Sequence, residues 1–204
     1  MARTSSDPFV HIREATLRHR AKHGCGAYPY SNGPLLSTIA AAVVAKRILE
    51  LGCALGYTAL SFAHGAPKAR IDTIERDPEH VRLAREHIAK AGMGKRITVH
   101  EGDFAKVLPG LDAGYDVAFF DGNTPVPALH KVLHGLLRTG GVLVTANLNS
   151  GHAGTILAVG VVATVAAVWL LSKLPTSRPS TMTRVVWMWE NLVPQVSSSH
   201  PRRR

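Results

Sequence analysis

The 204-residue chain has only two cysteines, Cys25 and Cys53. Two thiols cannot build a disulfide framework, and their spacing is not that of metal ligands. Aromatic residues are scarce, at 6%. An apolar stretch is missing from residues 1–10, so no secretory signal is expected and a reducing cytoplasm is the expected setting. No internal repeat is present. Acidic side chains are few, 14 against 24 Lys and Arg, for a net charge of +10. The excess sits at the ends. Residues 1–30 carry five basic and two acidic side chains, residues 31–172 thirteen and eleven, and residues 173–204 six and one. A near-neutral middle lacks the basic stripe of a nucleic-acid-binding domain. Basic ends read as solvated tails, so nucleic acid is not the expected partner.

Apolar residues are plentiful. At 46% hydrophobic, disorder throughout is excluded. The length suits one domain that can bury a sizeable core. Residues 1–10 read as a disordered lead-in, 11–23 as a short basic helix and 24–34 as a Gly/Pro/Asn-rich loop. A helix is expected over 34–45, with Leu35, Leu36, Ile39 and Val43 on its buried side. Short apolar strands at 47–51, 70–74, 97–100, 117–120 and 142–146 then alternate with helices near 57–65, 77–91, 103–109 and 125–138. The clearest helix has Asp77 as N-cap, Pro78 at its first position, Val81, Ala84 and Ile88 at helical spacing, and Gly92 as its stop. Such alternation predicts an α/β fold, a doubly wound parallel sheet with helices on both faces. The expected division is a basic lead-in and helix at 1–30, a folded domain at 31–192 and a disordered basic tail at 193–204.

From Thr155 to Leu171 run seventeen uncharged, mostly apolar residues. That is the short limit for a membrane span, which needs roughly 20. Val and Ala dominate it, and the basic segment beyond would have to cross the membrane, against the positive-inside tendency. The expected reading is a buried helix at about 153–165 and a strand near 167–172, paired with a further strand at 184–190, and no membrane partner.

The strongest signal is ILELGCALGYTAL, residues 48–60. An apolar strand ends in Glu50, Gly52 and Gly56, and a helix begins near Tyr57. Glycine permits a tight turn and a close ligand approach, and the helix amides can donate to an anion. The second strand ends in Glu75, twenty-three residues after Gly52, where an acid can accept ribose hydroxyls. Gly102, Asp103 and Phe104 follow the third strand, placing an acid and an aromatic where they could hold an adenine. Asp121 ends the fourth. All four signals lie at carboxyl ends of parallel strands, where ligands bind such sheets. A nicotinamide dinucleotide fingerprint needs a middle glycine, which this turn lacks. A nucleoside without a pyrophosphate, S-adenosylmethionine, fits better.

These motifs resemble the class I S-adenosylmethionine-dependent O-methyltransferases, the catechol and caffeoyl-CoA O-methyltransferase-like group, over roughly 120 of the 204 residues. LELGCALGYTAL resembles that family's first-strand motif and YSNGPLL, containing Ser31, its cofactor-closing segment. IERDPEH resembles the ribose strand end and EGDFAKVLPGL the adenine turn. YDVAFFDGN and LLRTGGVLVTANL resemble the fourth and fifth strands. The resemblance implies a Rossmann-like sheet of seven strands, the last antiparallel, and a methyltransferase acting on a small hydroxylated, aromatic molecule. It implies that Glu50, Gly52, Gly56, Tyr57 and Thr58 surround the methionine part of the cofactor, Glu75 and Arg76 the ribose, and Asp103 and Phe104 the adenine. It also implies a homodimer.

Departures from the family concern its divalent metal. Asp121 and Asn147 match two of the expected ligands and are the candidate catalytic pair, but Ala146 replaces the second Asp. A hard cation such as Mg²⁺ wants several oxygens, carboxylates among them. Thr124 stands where the family often has a lysine. Three readings follow: metal-free transfer with His130, His134 or His152 as base, a weak Mg²⁺ site on Asp121 and Asn147, or cofactor binding without transfer. An RNA or protein acceptor is the remaining alternative.

Overall fold

The computed structural model describes residues 7–121, 127–146 and 184–187. In chain order the elements are α1 (Val10–His23), α2 (Gly33–Ala42), β1 (Arg47–Leu51), α3 (Tyr57–Gly65), β2 (Arg70–Glu75), α4 (Pro78–Lys90), β3 (Ile97–Glu101), α5 (Phe104–Val107), β4 (Tyr115–Phe120), α6 (Pro127–Leu136), β5 (Leu137–Thr145) and β6 (Arg184–Trp187). One sheet has the order β3-β2-β1-β4-β5-β6, with every pairing parallel. Strand order reverses direction between β1 and β4, the topological switch point of a doubly wound sheet.

The two central strands are apolar because both faces are covered. All six residues of β4 are buried, as are Ile48 to Leu51 of β1. Period-two alternation splits them between two cores. Ile48, Val117 and Phe119 join Phe62 and Ile71 on one face, while Leu49, Leu51, Ala118 and Phe120 join Leu133 and Leu143 on the other. Helix α4 forms as its sequence indicates. Asp77 Oδ1 accepts from the amides of Glu79 (2.9 Å) and His80 (3.2 Å), and Val81, Ala84 and Ile88 face the core.

Some expectations are corrected. Residues 7–10 are not a loose lead-in: Phe9 is buried in the larger core, and the Asp7 carboxylate accepts from the Tyr57 hydroxyl at 2.5 Å. An apolar anchor and a buried phenol therefore tie this stretch to α3. Helix α2 stops at Ala42, three residues before its expected end, and Val44 adopts φ +50°. Strand β5 starts at Leu137 rather than 142 because Leu137 pairs with Tyr115, and a bulge separates that pair from Val117–Val142. Gly140, at φ +79°, lies in the excursion. β6 pairs in parallel with β5 and occupies the backbone edge that β5 would otherwise leave open. Among the described residues there are six strands and no antiparallel one. The run 155–171, the strand expected near 167–172 and the 193–204 tail lie outside the described residues, and no described helix is long and apolar enough to cross a membrane.

At the amino end of the sheet, Asp116 fastens β4 to β1. Its Oδ2 accepts from the amides of Lys46 (2.7 Å) and Arg47 (2.8 Å), and its Oδ1 pairs with Arg138. Burial pushes the carboxyl pKa up, but the Arg138 guanidinium and the two amides outweigh it and hold it below the usual carboxylate range. A depressed folded-state pKa adds stability above the unfolded value, and that stability is lost as pH falls through the folded one. Asp116→Asn should therefore cost roughly 1–3 kcal/mol at neutral pH. Urea denaturation should show the deficit shrinking in acid, as the wild-type carboxylate takes up its proton.

Candidate functional site

The strand tips form one row because the hydrogen-bond ladder runs one residue past β1, β3, β4 and β5. Gly102 N donates to Glu75 O (2.9 Å), Gly52 N to Ile74 O (2.9 Å), Asp121 N to Leu51 O (3.3 Å) and Ala146 N to Phe120 O (3.0 Å). Gly102, Glu75, Gly52, Asp121 and Ala146 thus stand side by side along the carboxyl edge, across the switch point.

The turn after β1 needs unusual backbone. Gly52 has φ +87° and Gly56 φ +93°, both left-handed. A Cβ on Gly56 would meet Ala84 of α4 only in ordinary contact at 3.5 Å, so the positive φ rather than crowding is what calls for glycine here. Between them Ala54 adopts φ +44°, sparsely populated for a residue with a Cβ. Glu75 holds it there, Oε2 accepting from Ala54 N at 2.9 Å. Glu75 Oε1 accepts from the amides of Arg76 (2.9 Å) and Asp77 (3.1 Å). A carboxylate has about four lone-pair sites. Three are engaged here, so the side chain is fixed in place with capacity for one more donor. Arg76 itself is exposed.

Glu50 is wholly buried. Its Oε2 accepts from Thr73 Oγ1 at 2.6 Å, and the Thr58 hydroxyl also hydrogen-bonds its carboxyl. Its Oε1 is buried without a hydrogen-bond partner. Burial pushes the pKa up to about 7, the two threonines offsetting part of that rise and Glu75 adding to it. The buried Cys53 thiol is likewise pushed up, chiefly by burial.

Tyr57 plays a part that its motif did not reveal. Its hydroxyl donates to Asp7 and accepts from Gly33 N at 2.9 Å, joining the starts of α3 and α2 to the N-terminal segment. Burial and the Asp7 carboxylate raise its pKa. Ser31 lies exposed in the loop before α2, beside Asn32, whose Oδ1 caps that helix by accepting from Leu35 N at 3.1 Å. At the β3 tip, exposed Asp103 caps α5, its Oδ1 accepting from Ala105 N at 2.9 Å. Half-buried Phe104 packs edge-on against Phe120, centroids 6.2 Å apart. An exposed acid thus stands next to a half-covered ring at one end of the row.

The residues fit a nucleoside cofactor. A fixed carboxylate, a ring and a side-chain-free turn lie on adjacent tips, with a buried acceptor oxygen lacking a donor behind the turn. They do not fit the family's divalent cation equally well. Buried Ala146 offers no side-chain oxygen beside Asp121, and Asn147, Thr124 and His152 lie outside the described residues.

Fold and site together define a doubly wound α/β protein with a candidate ligand site at its switch point. The profile of the O-methyltransferase family matches residues 3–167, and the chain belongs to that family. The catechol O-methyltransferase of Mycobacterium tuberculosis is 35% identical over 130 residues, 62% of this chain and 58% of that protein. The chain spans about three fifths of the length of such curated relatives. The O-methyltransferase TomG of Streptomyces achromogenes, solved with S-adenosylmethionine, is 29% identical, with a TM-score of 0.61 over 66% of this chain and 64% of that one. An O-methyltransferase from Bacillus cereus, solved with S-adenosylhomocysteine, is 26% identical, with a TM-score of 0.59 over 65% and 64%.

Glu50 yields a pH signature. Its folded-state pKa lies above the ordinary value, so the folded protein holds this proton more tightly than the unfolded chain. Its contribution therefore falls as pH rises from about 4.5 to about 7 and is level above that, a change of about 3 kcal/mol at 1.4 kcal/mol per pH unit. Glu50→Gln should flatten this stretch of the stability–pH curve, read by chemical denaturation at a series of pH values. An unchanged slope would place the titrating group elsewhere.

Proposed function

We propose that this chain is an S-adenosylmethionine-dependent methyltransferase that methylates a hydroxyl of a small aromatic molecule. The observation that carries the reading is the unbroken row of Gly102, Glu75, Gly52 and Asp121 on neighbouring strand tips. Family membership and the cofactor-bound relatives support it.

When bound, S-adenosylmethionine supplies a methyl group on a sulfonium, open to in-line displacement. Glu75, already oriented by three amides, would accept from the ribose, and exposed Arg76 flanks it. Binding both hydroxyls requires Glu75 to give up one of its present donors; the Ala54 amide, on the strained turn, is the natural one to release. Asp103 and Phe104 would meet the edge and face of the adenine, on the turn opened by Gly102. Gly52 and Gly56 admit the methionine part, with Thr58 and the buried Glu50 behind them. Tyr57, at the start of α3, would lie by the methionine part too, and Ser31 belongs to the segment that closes over the cofactor. Asp121 and Asn147 are the proposed acceptor-side pair, orienting the hydroxyl. No step is assigned to Mg²⁺, because Ala146 removes one of two expected carboxylates. Transfer to a held acceptor draws much of its rate from proximity and alignment, so a strong base is not obligatory. The near-neutral middle of the chain favours a small acceptor over RNA. A cytoplasmic homodimer, with 1–30 as a basic N-terminal lead-in and helix before a 31–192 domain, completes the reading.

The Ala146 substitution also favours a second reading, a cofactor-binding protein without turnover. The test is formation of S-adenosylhomocysteine with a panel of catechols and phenols. Turnover on any member supports the enzyme, and binding without turnover across the panel supports the second reading. Glu75→Ala should weaken S-adenosylmethionine binding by about 1–3 kcal/mol, read by calorimetry. Unchanged affinity would remove Glu75 from the ribose. Ala146→Asp should create or raise Mg²⁺ stimulation of turnover; if added Mg²⁺ leaves the rate unchanged, the missing carboxylate is not what limits metal use.

A further inference from the structure

Outside the cofactor row, three side chains with soft or borderline donor atoms converge where α1 and its following loop meet the first turn of α4. His19 comes from the last turns of α1, Cys25 from the loop after it, and His80 from α4. One ligand atom from each lies within 4.8 Å of the others. His80 is buried, and its Nε2 has no hydrogen-bond partner. A buried ring nitrogen without a partner is a standing cost unless something meets it. The His19 and His80 rings stand 5.2 Å apart in an edge-on arrangement, and His23 stacks behind His19 at 4.5 Å. Asp77 borders the group: its Oδ1 is used in capping α4, while its Oδ2 is 4.0 Å from His80 Nε2, too far for a hydrogen bond but close to the separation of two ligands on one ion. Cys25 is a free thiol, partly accessible from solvent.

We propose that His19, Cys25 and His80 bind a Zn²⁺-class cation that pins α1 to the start of α4, with water or Asp77 in the fourth position. Two imidazoles and a thiolate suit Zn²⁺ in tetrahedral geometry, whereas Mg²⁺ and Ca²⁺ take oxygen ligands. Metal–ligand bonds of about 2.0–2.3 Å require the three atoms to draw together slightly, and Cys25, on a loop, is the one free to move. Binding displaces the thiol proton to solvent. The site borders the cofactor row: His80 Nδ1 lies 3.9 Å from Glu75 Oε1. A cation here would fasten the N-terminal segment beside the proposed ribose carboxylate. Sequence spacing does not reveal it, because His80 lies more than fifty residues from His19 and Cys25.

The test uses the full-length protein, stripped with a chelator, kept reduced, and titrated with Co²⁺ as a spectroscopic stand-in for Zn²⁺. The expected result is one Co²⁺ per chain, tetrahedral visible bands and a thiolate-to-cobalt charge-transfer band, all displaced by Zn²⁺. Cys25→Ser should abolish the charge-transfer band, and His19→Gln should weaken binding at least tenfold. Cys53→Ser should leave both unchanged. Cys25 and His19 are only partly buried, so these variants should retain the wild-type circular dichroism, which is recorded alongside. No charge-transfer band in the wild type, or one that survives Cys25→Ser, overturns the proposal. A histidine-only Co²⁺ spectrum unaffected by His19→Gln overturns it as well.

Discussion

Everything at the functional edge depends on a backbone constraint: the parallel ladder continues one residue beyond β1, β3, β4 and β5. Each donor at a tip finds a carbonyl in the last two residues of its neighbour, as in Gly52 N to Ile74 O and Asp121 N to Leu51 O. Parallel strands start and stop together only if their flanking turns permit it. Here the left-handed Gly52 and Gly102 let the chain leave the sheet at the same level on β1 and β3. Asp116 performs the matching task at the other end, fixing β4 against the start of β1. The site residues need no direct contact with one another; the ladder places them.

Behind this edge the protein keeps polar groups in costly surroundings. Glu50 is buried with one oxygen unmatched, and Ala54 is held in a left-handed conformation by Glu75. Local departures of this kind tend to gather where a fold serves a ligand rather than its own stability. The two features are joined, since Glu75 both supports the Ala54 turn and raises the proton affinity of Glu50. A ligand that engages Glu75 would therefore be felt at the turn and at the buried carboxyl together.

Much of this was legible in the sequence. The first strand, Arg47–Leu51, and the helix Tyr57–Gly65 follow from an apolar run broken by two glycines. Helix α4 follows from Asp77, Pro78 and heptad-like spacing, and the four tips follow from where the strands end. What was not legible depends on partners distant in the chain. Residues 7–10 look like part of a disordered lead-in until Tyr57 and the core claim Asp7 and Phe9. The early start of β5 depends on pairing with Tyr115, and the place of β6 on the open edge of β5, neither of which leaves a periodic signal. Glu75 looks like a free ribose acceptor in sequence, whereas three backbone amides already occupy it. The convergence of His19, Cys25 and His80 is invisible for the same reason.

The central claim is that this row of strand tips binds S-adenosylmethionine without help from the family's metal. Calorimetric titration of the purified full-length chain with S-adenosylmethionine, with and without Mg²⁺, tests it most directly. The account predicts saturable one-to-one binding in the micromolar range, unchanged by Mg²⁺. A well-folded sample that shows no binding under either condition would contradict it.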